Sequence, residues 1–370
     1  MTRSPGDAAL VLALGVAVAL AALSIDLIAP GLLAIRQDLA INAASAGLTV
    51  AAFMLGLAAG QPVFGWLSDR LGRRRMLRAG LVVFVAASFG CAASRSAAAL
   101  LGWRIAQGFG AGASVVIAGA VIRDLFRGAQ AHRIRSRVNL IYSLAPILAP
   151  ALGSQIVRFG GWRLGFVLLG CCGGAVIIAA GLLPAQQDAS AAPRRQTIAA
   201  PFVAVARHRP FIVPALVDAL GFAAVFAIIA TAPLVLIGAD RVAPVVYGVL
   251  FACMAVGLSA VAAVETLLIA TGAAGVAVFV LLSTLLLFTR GVVAVAAQHA
   301  AMEAIERSVG VGAALLGFTQ VAAGTLSSAI AAALYAPLGS AAASGTAALF
   351  AAAALAVWRA GRRGGLVDGQ

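Results

Sequence analysis

A chain of 370 residues with 63% hydrophobic and only 10% charged side chains cannot cover its own surface in water, where a soluble domain carries about 25% charge. A formal net charge of +14 and a pI near 11.5 would mark a nucleic-acid binder in a soluble protein, but all 26 basic residues are arginines, most of them in short stretches between apolar segments. Composition therefore excludes a soluble domain and a basic surface that reads nucleic acid.

Apolar stretches of about 20 residues, each long enough to cross a bilayer core, recur from Ala8 to Trp358. They are too long and too continuous for alternating barrel strands, so the spans are helical. The first, over 8–33, follows Arg3 and imitates a signal peptide as far as Ser24. At least ten further apolar segments follow it, so it reads as a retained first helix. Five more spans fall over 43–66, 78–96, 98–121, 136–158 and 163–184. The stretch Pro184 to Arg209, with Asp188, Arg194, Arg195, Arg207 and Arg209, then breaks the hydrophobicity. The expected organisation is an N-terminal six-helix bundle over 1–184, a cytoplasmic linker over 185–210 and a C-terminal bundle over 211–370, beginning at Phe211.

Arginine placement orients the chain. Segments 66–78, 122–137 and 185–210 hold five, five and four arginines, and Arg359, Arg362 and Arg363 follow near the end. The alternate segments hold only Arg36, Arg95, Arg158, Arg163 and Arg241. Basic residues bias a loop toward the cytoplasm, so both termini are expected inside.

The two halves echo one another. Ala29-Pro30-Gly31-Leu32 has a counterpart in Ala232-Pro233-Leu234, and Phe53-Met54-Leu55-Gly56-Leu57 in Cys253-Met254-Ala255-Val256-Gly257-Leu258. Transporters build a site between such repeats. The second half is short, however. About 80 residues separate Gly56 from the fifth span, and about 53 separate Gly257 from its match at Gly310. The expected fold is an all-α polytopic membrane protein of two pseudo-symmetric bundles, with twelve spans, or eleven if one is missing between the eighth and eleventh.

Between the second and third spans lies Gly65-Trp66-Leu67-Ser68-Asp69-Arg70-Leu71-Gly72-Arg73-Arg74-Arg75-Met76-Leu77. Gly65 and Gly72 permit a tight reversal and close backbone approach. Asp69 can accept from neighbouring guanidinium groups. This segment resembles the signature of the major facilitator superfamily over its whole length. The Asp26-to-Pro30 ending of the first span, Arg104-Ile105-Ala106-Gln107-Gly108-Phe109-Gly110 and Arg123-Asp124-Leu125-Phe126 are similar to the bicyclomycin-resistance (Bcr/CflA-type) drug-efflux transporters. The run from Ala145 to Gly153, with Pro146 and Pro150, resembles a motif of antiporters in that superfamily. The resemblance is close over about 20–170 and weak beyond 260. It implies drug:proton antiport in a bacterial inner membrane, with a drug-like small molecule and protons as partners, lipid around it and a monomeric chain.

Within the spans, ionisable groups are costly and face a cavity or a partner. Asp26 and Arg104 each lie roughly 10 Å below the outer end of their helices at 1.5 Å per residue, a shared depth that allows contact across the bundle. The family reading gives Asp26 a part in proton or substrate binding and Arg104 a part in shaping the cavity or relaying protonation. Gln107 shares the Arg104 face. Asp218, about two turns into the seventh span, is a second carboxylate for the cavity, or else a cytoplasmic helix end. Gly65, Asp69, Arg70, Gly72, Arg73 and Arg123 are the gating set, and Pro146, Pro150 and Gly153 a bending element in the fifth helix, or simply kinked packing.

Gly56/Gly60, Gly108/Gly110/Gly112 and Gly170/Gly174 read as small-residue packing seams. Cys91, Cys171, Cys172 and Cys253 read as packing residues, and His132, His208 and His299 are isolated. Glu265, Glu303 and Glu306 mark second-half loops. No nucleophile–base pair, metal-ligand spacing or ATP-binding segment is found, so neither an enzyme nor a cofactor is expected. Two rival readings stay open: a proton-coupled uptake carrier for a metabolite, and a truncated chain without transport.

Overall fold

A computed structural model describes residues 5–126, 128–182, 199–233, 309–338 and 341–363, with 297–298, 300–301 and 304 besides. Among the described residues every regular element is helical. The chain divides into two compact units, one holding residues 5–40 and 52–182, the other 41–51 and the described helices from Ala199 onward.

The first unit opens with α1 (Pro5–Asp26), expected to continue to residue 33. It stops because Pro30 has no N–H to offer the Asp26 carbonyl. A single 3₁₀ turn, Ala29–Gly31, then restarts the chain as α2 (Leu32–Asp38). Leu14, Ala17 and Leu20 of α1 are buried, so the signal-like first segment is an integral part of this core. Three helices follow: α3 (Ala43–Leu71), α4 (Arg73–Ala93) and α5 (Ala97–Leu125). Ser96 caps α5, its hydroxyl accepting from Ala99 N at 3.3 Å.

The arginine-rich segment 66–78 is helical on both sides of a one-residue reversal, and 122–125 and 128–137 of the second such segment are helical as well. Gly72, at φ 92° and ψ 139°, makes the reversal between α3 and α4 alone, in a backbone region closed to other residues. Gly65 takes no part in that turn: it lies inside α3, where an added Cβ would sit 3.4 Å from Val116. The fifth and sixth spans form one run, α6 (Gly128–Ala179), broken at Gly161 (φ 69°, ψ 175°). At about 1.5 Å per residue, the apolar part from Arg133 to Ala179 is twice the length a bilayer core requires, and the break divides it.

Within this unit α1 packs on α5 and α6, and α4 on α5 and α6. Small residues set these distances. A Cβ at Gly108 would lie 1.9 Å from the Phe53 carbonyl oxygen, one at Gly56 1.9 Å from that of Ile105, and one at Gly110 2.5 Å from that of Gly80. The first two seams hold as expected. In the third, Gly170 meets the Phe89 ring, but Gly174 meets nothing within 4 Å, and its neighbour Gly173 takes the close contact, with Phe84. Gly108→Val, which would drive a branched side chain into the Phe53 backbone, is expected to cost more than about 3 kcal/mol. Loss of the monodisperse peak of a fluorescent fusion in detergent is the result to look for.

In the second unit α7 (Ala199–Arg207) and α8 (Arg209–Pro233) bring Val205, Phe211 and Ala215 against Ala301 and Leu316. Two further helices, α9 (Val309–Leu338) and α10 (Ala341–Arg363), both pack on α8. The expected eighth to tenth spans, with Cys253, Glu265 and the shortened stretch, lie outside the described residues, as do Asp188, Arg194, Arg195, Arg241, His299, Glu303 and Glu306.

Seven of the described helices are long and apolar enough to cross a membrane. Their outward side chains are apolar as well: Leu140, Leu148 and Leu152 are exposed, and Ile178 is 80% exposed. Such surfaces are intolerable in water and ordinary against acyl chains. The protein is a multi-pass membrane protein.

Candidate functional site

Arg104 is the largest fully buried side chain of the first unit, and its surroundings explain how a guanidinium is tolerated there. Its NH1 donates to the Ser24 carbonyl at 3.0 Å and to Gln107 Oε1 at 2.7 Å. Gln107 Nε2 passes the chain on to Ser88 Oγ at 2.8 Å, and Ser88 donates to the Phe84 carbonyl. The guanidinium carbon lies 4.6 Å from the centre of the Phe53 ring and 5.6 Å from that of Phe166. Ring faces attract cations most where water is excluded. Arg104 and Gln107 together thus join all five long helices of the unit: Arg104 reaches α1 through Ser24, α3 through Phe53 and α6 through Phe166, and Gln107 carries the link from α5 to Ser88 of α4.

The expected meeting of Asp26 with Arg104 does not take place. Asp26 is the last residue of α1 and is buried, yet among the described residues no ion pair or hydrogen bond engages its carboxylate. The guanidinium takes the Ser24 carbonyl because the last four carbonyls of a helix lack intrahelical donors. Equal depth brought Arg104 to the end of α1, but to its backbone.

Asp218 lies in the interior of α8, not at a helix end, and is fully buried. Its Oδ2 accepts from Gln298 Nε2 at 3.2 Å and from Gln320 Nε2 of α9.

The signature between α3 and α4 is a latch centred on Arg73. Its NH1 lies 2.5 Å from Asp69 Oδ1 and 2.7 Å from Ser68 Oγ, and its Nε is 3.0 Å from Asp124 Oδ2. Arg123 reaches this network only at its edge, 3.9 Å from Asp124 Oδ1. Asp124 is therefore the second carboxylate of the latch, and Ser68 its neutral acceptor. Neither was singled out from the sequence, although Asp124 directly follows Arg123. Arg70 lies over the Trp66 ring at 4.2 Å and outside the ion-pair group.

Pro146 and Pro150 both lie inside α6, and the non-helical break in its backbone falls at Gly161. The Ser154 hydroxyl donates to the Pro150 carbonyl one turn back at 2.7 Å. Gly153 has a separate use, since an added Cβ would lie 2.1 Å from the Leu27 carbonyl oxygen just past the end of α1. A further clasp joins α2, α4 and α6: Asp38 accepts from Trp162 Nε1 at 3.1 Å and pairs with Arg163, which also donates to the Ser94 carbonyl at 3.1 Å.

Known proteins match both the sequence and this arrangement. The chain is 37% identical over 158 residues to a chloramphenicol resistance protein of Pseudomonas aeruginosa, covering 41% of this chain and 36% of that protein. It is 31% identical over 163 residues to a bicyclomycin resistance protein homolog of Haemophilus influenzae, covering 44% and 41%. These matches span less than half the length of either relative, and they meet the resemblance read from the motifs. Among solved structures, a bacterial homologue of the human lysosomal transporter Spinster aligns with a TM-score of 0.72 at 16% identity, covering 96% of this chain and 97% of its own. A D-xylose–proton symporter aligns at 0.68, also at 16% identity, covering 95% and 97%. The family model of the Major Facilitator Superfamily matches residues 14–357, nearly the whole sequence, and the chain belongs to that superfamily.

Proposed function

We propose that this protein exports drug-like small molecules across the bacterial inner membrane in exchange for protons. The observation that carries the reading is the Asp26 carboxylate, buried at the end of α1 with no described group holding it. A carboxylate so placed can take and release a proton without first breaking an ion pair. An ionised group within a span is costly, and a proton removes that cost. Arg104, held by Gln107 and the Ser24 carbonyl, fixes the wall beside Asp26. Asp218 supplies the second carboxylate. Relatives named for chloramphenicol and bicyclomycin resistance support a drug as the cargo.

In this reading 1–184 and 211–370 are the two bundles of an alternating-access carrier, joined by a cytoplasmic linker, with both termini inside and one chain as the working unit. Gly65, Asp69, Arg70, Gly72, Arg73 and Arg123 form the gating region, with Asp124 added. Pro146, Pro150 and Gly153 are the bending element of the fifth span, and Gly153 also sets its close approach to Leu27. Each entering proton supplies about 2.3 kcal/mol per 100 mV, and each pH unit adds about 1.4 kcal/mol. Everted vesicles loaded with a pH-sensitive dye test the exchange: chloramphenicol is expected to dissipate a preformed gradient. A response to a sugar or other metabolite alone would instead mark an uptake carrier, and silence toward both would mark a chain without transport.

The latch yields a separate expectation. The Asp69 side chain is 63% exposed, so its pairing with Arg73 contributes no more than about 1 kcal/mol to stability. Asp69→Asn and Asp124→Asn should leave thermal unfolding in detergent nearly unchanged while both slow export. Equal export by both variants and the wild type would remove the latch from the cycle.

A further inference from the structure

Asp218 sits nine residues into α8, about 14 Å along the helix at 1.5 Å per residue and so near the middle of a bilayer core of about 30 Å. Two amides that donate to it come from distant parts of the sequence. An ionised carboxylate only accepts hydrogen bonds, whereas an amide has one donor side and one acceptor side. Both Gln298 and Gln320 turn their N–H groups to the same carboxylate oxygen, so each keeps its carbonyl oxygen for another donor. Both glutamines are half-buried, and among the described residues no hydrogen bond engages those carbonyl oxygens.

The neighbourhood is rigid and aromatic. Ser327, seven residues after Gln320 and on the same face of α9, donates to the Ala223 carbonyl of α8 at 2.5 Å, which fixes α9 in register. One and two turns beyond Asp218 on α8, Phe222 and Phe226 stack with ring centres 4.4 Å apart. The group therefore combines one carboxylate, two amide oxygens and a pair of rings, all within the second unit.

We infer that Asp218, Gln298 and Gln320 form a recognition site for a primary or secondary ammonium group on a lipophilic, ring-bearing molecule. The ammonium would place one N–H toward the carboxylate and others toward the amide oxygens, with its apolar body along Phe222. A quaternary cation lacks these donors, and a neutral molecule lacks the charge. This deepens the reading of Asp218 as a cavity carboxylate and rests on the chain being a small-molecule carrier.

Dansylcadaverine, an aromatic primary amine, and its N-acetyl derivative share every part except the ammonium. Their binding to the full-length protein in zwitterionic nanodiscs, corrected against empty discs, isolates that group. The wild type is expected to prefer the amine by at least about tenfold, the range of one charged hydrogen bond. Asp218→Asn should erase the preference, and Gln320→Leu should reduce it several-fold. Because the measure is a ratio of two ligands on one sample, a partial loss of folded protein cancels. If Asp218→Asn yields no folded protein, Gln320→Leu and Gln298→Leu decide the matter alone. No preference in the wild type, or a preference that survives these substitutions, overturns the inference. Absence of chloramphenicol-driven proton exchange in wild-type vesicles, with the preference intact, would sink the exporter reading and not this one.

Discussion

Asp26→Asn is expected to reduce chloramphenicol-driven proton exchange to background while the protein still reaches the membrane in wild-type amounts. Asparagine keeps the shape of aspartate and cannot gain or lose a proton near neutral pH. Because no described residue depends on the Asp26 carboxylate for a hydrogen bond or an ion pair, its neutralisation leaves no partner stranded. Stability should stay within about 1 kcal/mol of the wild type. Dye recovery in everted vesicles measures the exchange, and gel filtration of a fluorescent fusion measures the folded amount. Exchange at the wild-type rate in Asp26→Asn would end the assignment of the proton to this residue. Loss of both exchange and folded protein would make Asp26 structural.

Arg104→Ala should have the opposite signature, a failure of folding before any failure of chemistry. Truncation removes the donors that serve the Ser24 carbonyl and Gln107, strips the cation from between Phe53 and Phe166 and opens a void at a fully buried position. Lost charged hydrogen bonds at about 1.5–3 kcal/mol each, together with a cavity, set the expected loss at about 3–5 kcal/mol. Lysine carries the same charge but not the planar fork, so Arg104→Lys should recover only part of it. Gln107→Leu cuts the link to Ser88 and should cost about 1–2 kcal/mol. Combining it with Arg104→Ala should cost less than the two losses added, since the two residues act as one network. Denaturant titration in mixed micelles reads all four variants. A stability of Arg104→Ala close to wild type would show that the buried guanidinium is not the tie between these helices.

The overall plan was legible in the sequence because lipid leaves few alternatives. Continuous apolar runs become helices, and of the two glycines read as permitting the reversal in the Asp69 signature, Gly72 makes it while Gly65 stays within α3. Boundaries were harder. Residues such as Arg73, Arg123 and Arg133 read as loop because they are charged, yet they extend helices past the hydrocarbon, where water can reach the side chain while the backbone remains bonded. Gly161 hides in a Gly-Gly pair that reads as an ordinary loop, and only its positive φ turns two spans into one interrupted run.

In the site, Asp26, Arg104, Gln107 and Asp218 stood out because polar groups are conspicuous against apolar neighbours. Their partners did not. The Ser24 acceptor is a backbone atom, which no side-chain pattern reports. Gln298 and Gln320 lie 80 and 102 residues from Asp218. Their only trace in the sequence was an amide within or beside an apolar run, a hint of contact between helices that does not say with which one.

The arginine latch and the Asp38–Arg163 clasp also bear jointly on α4. Arg73 is its first residue and is tied by Asp69 and Asp124, while the Ser94 carbonyl at its far end is tied by Arg163. Each tie is exposed and weak by itself, but sliding or turning α4 alone would break polar contacts at both of its tips. The helix is thereby coupled to α3 and α5 at one tip and to α6 at the other, so these contacts favour its moving together with those neighbours.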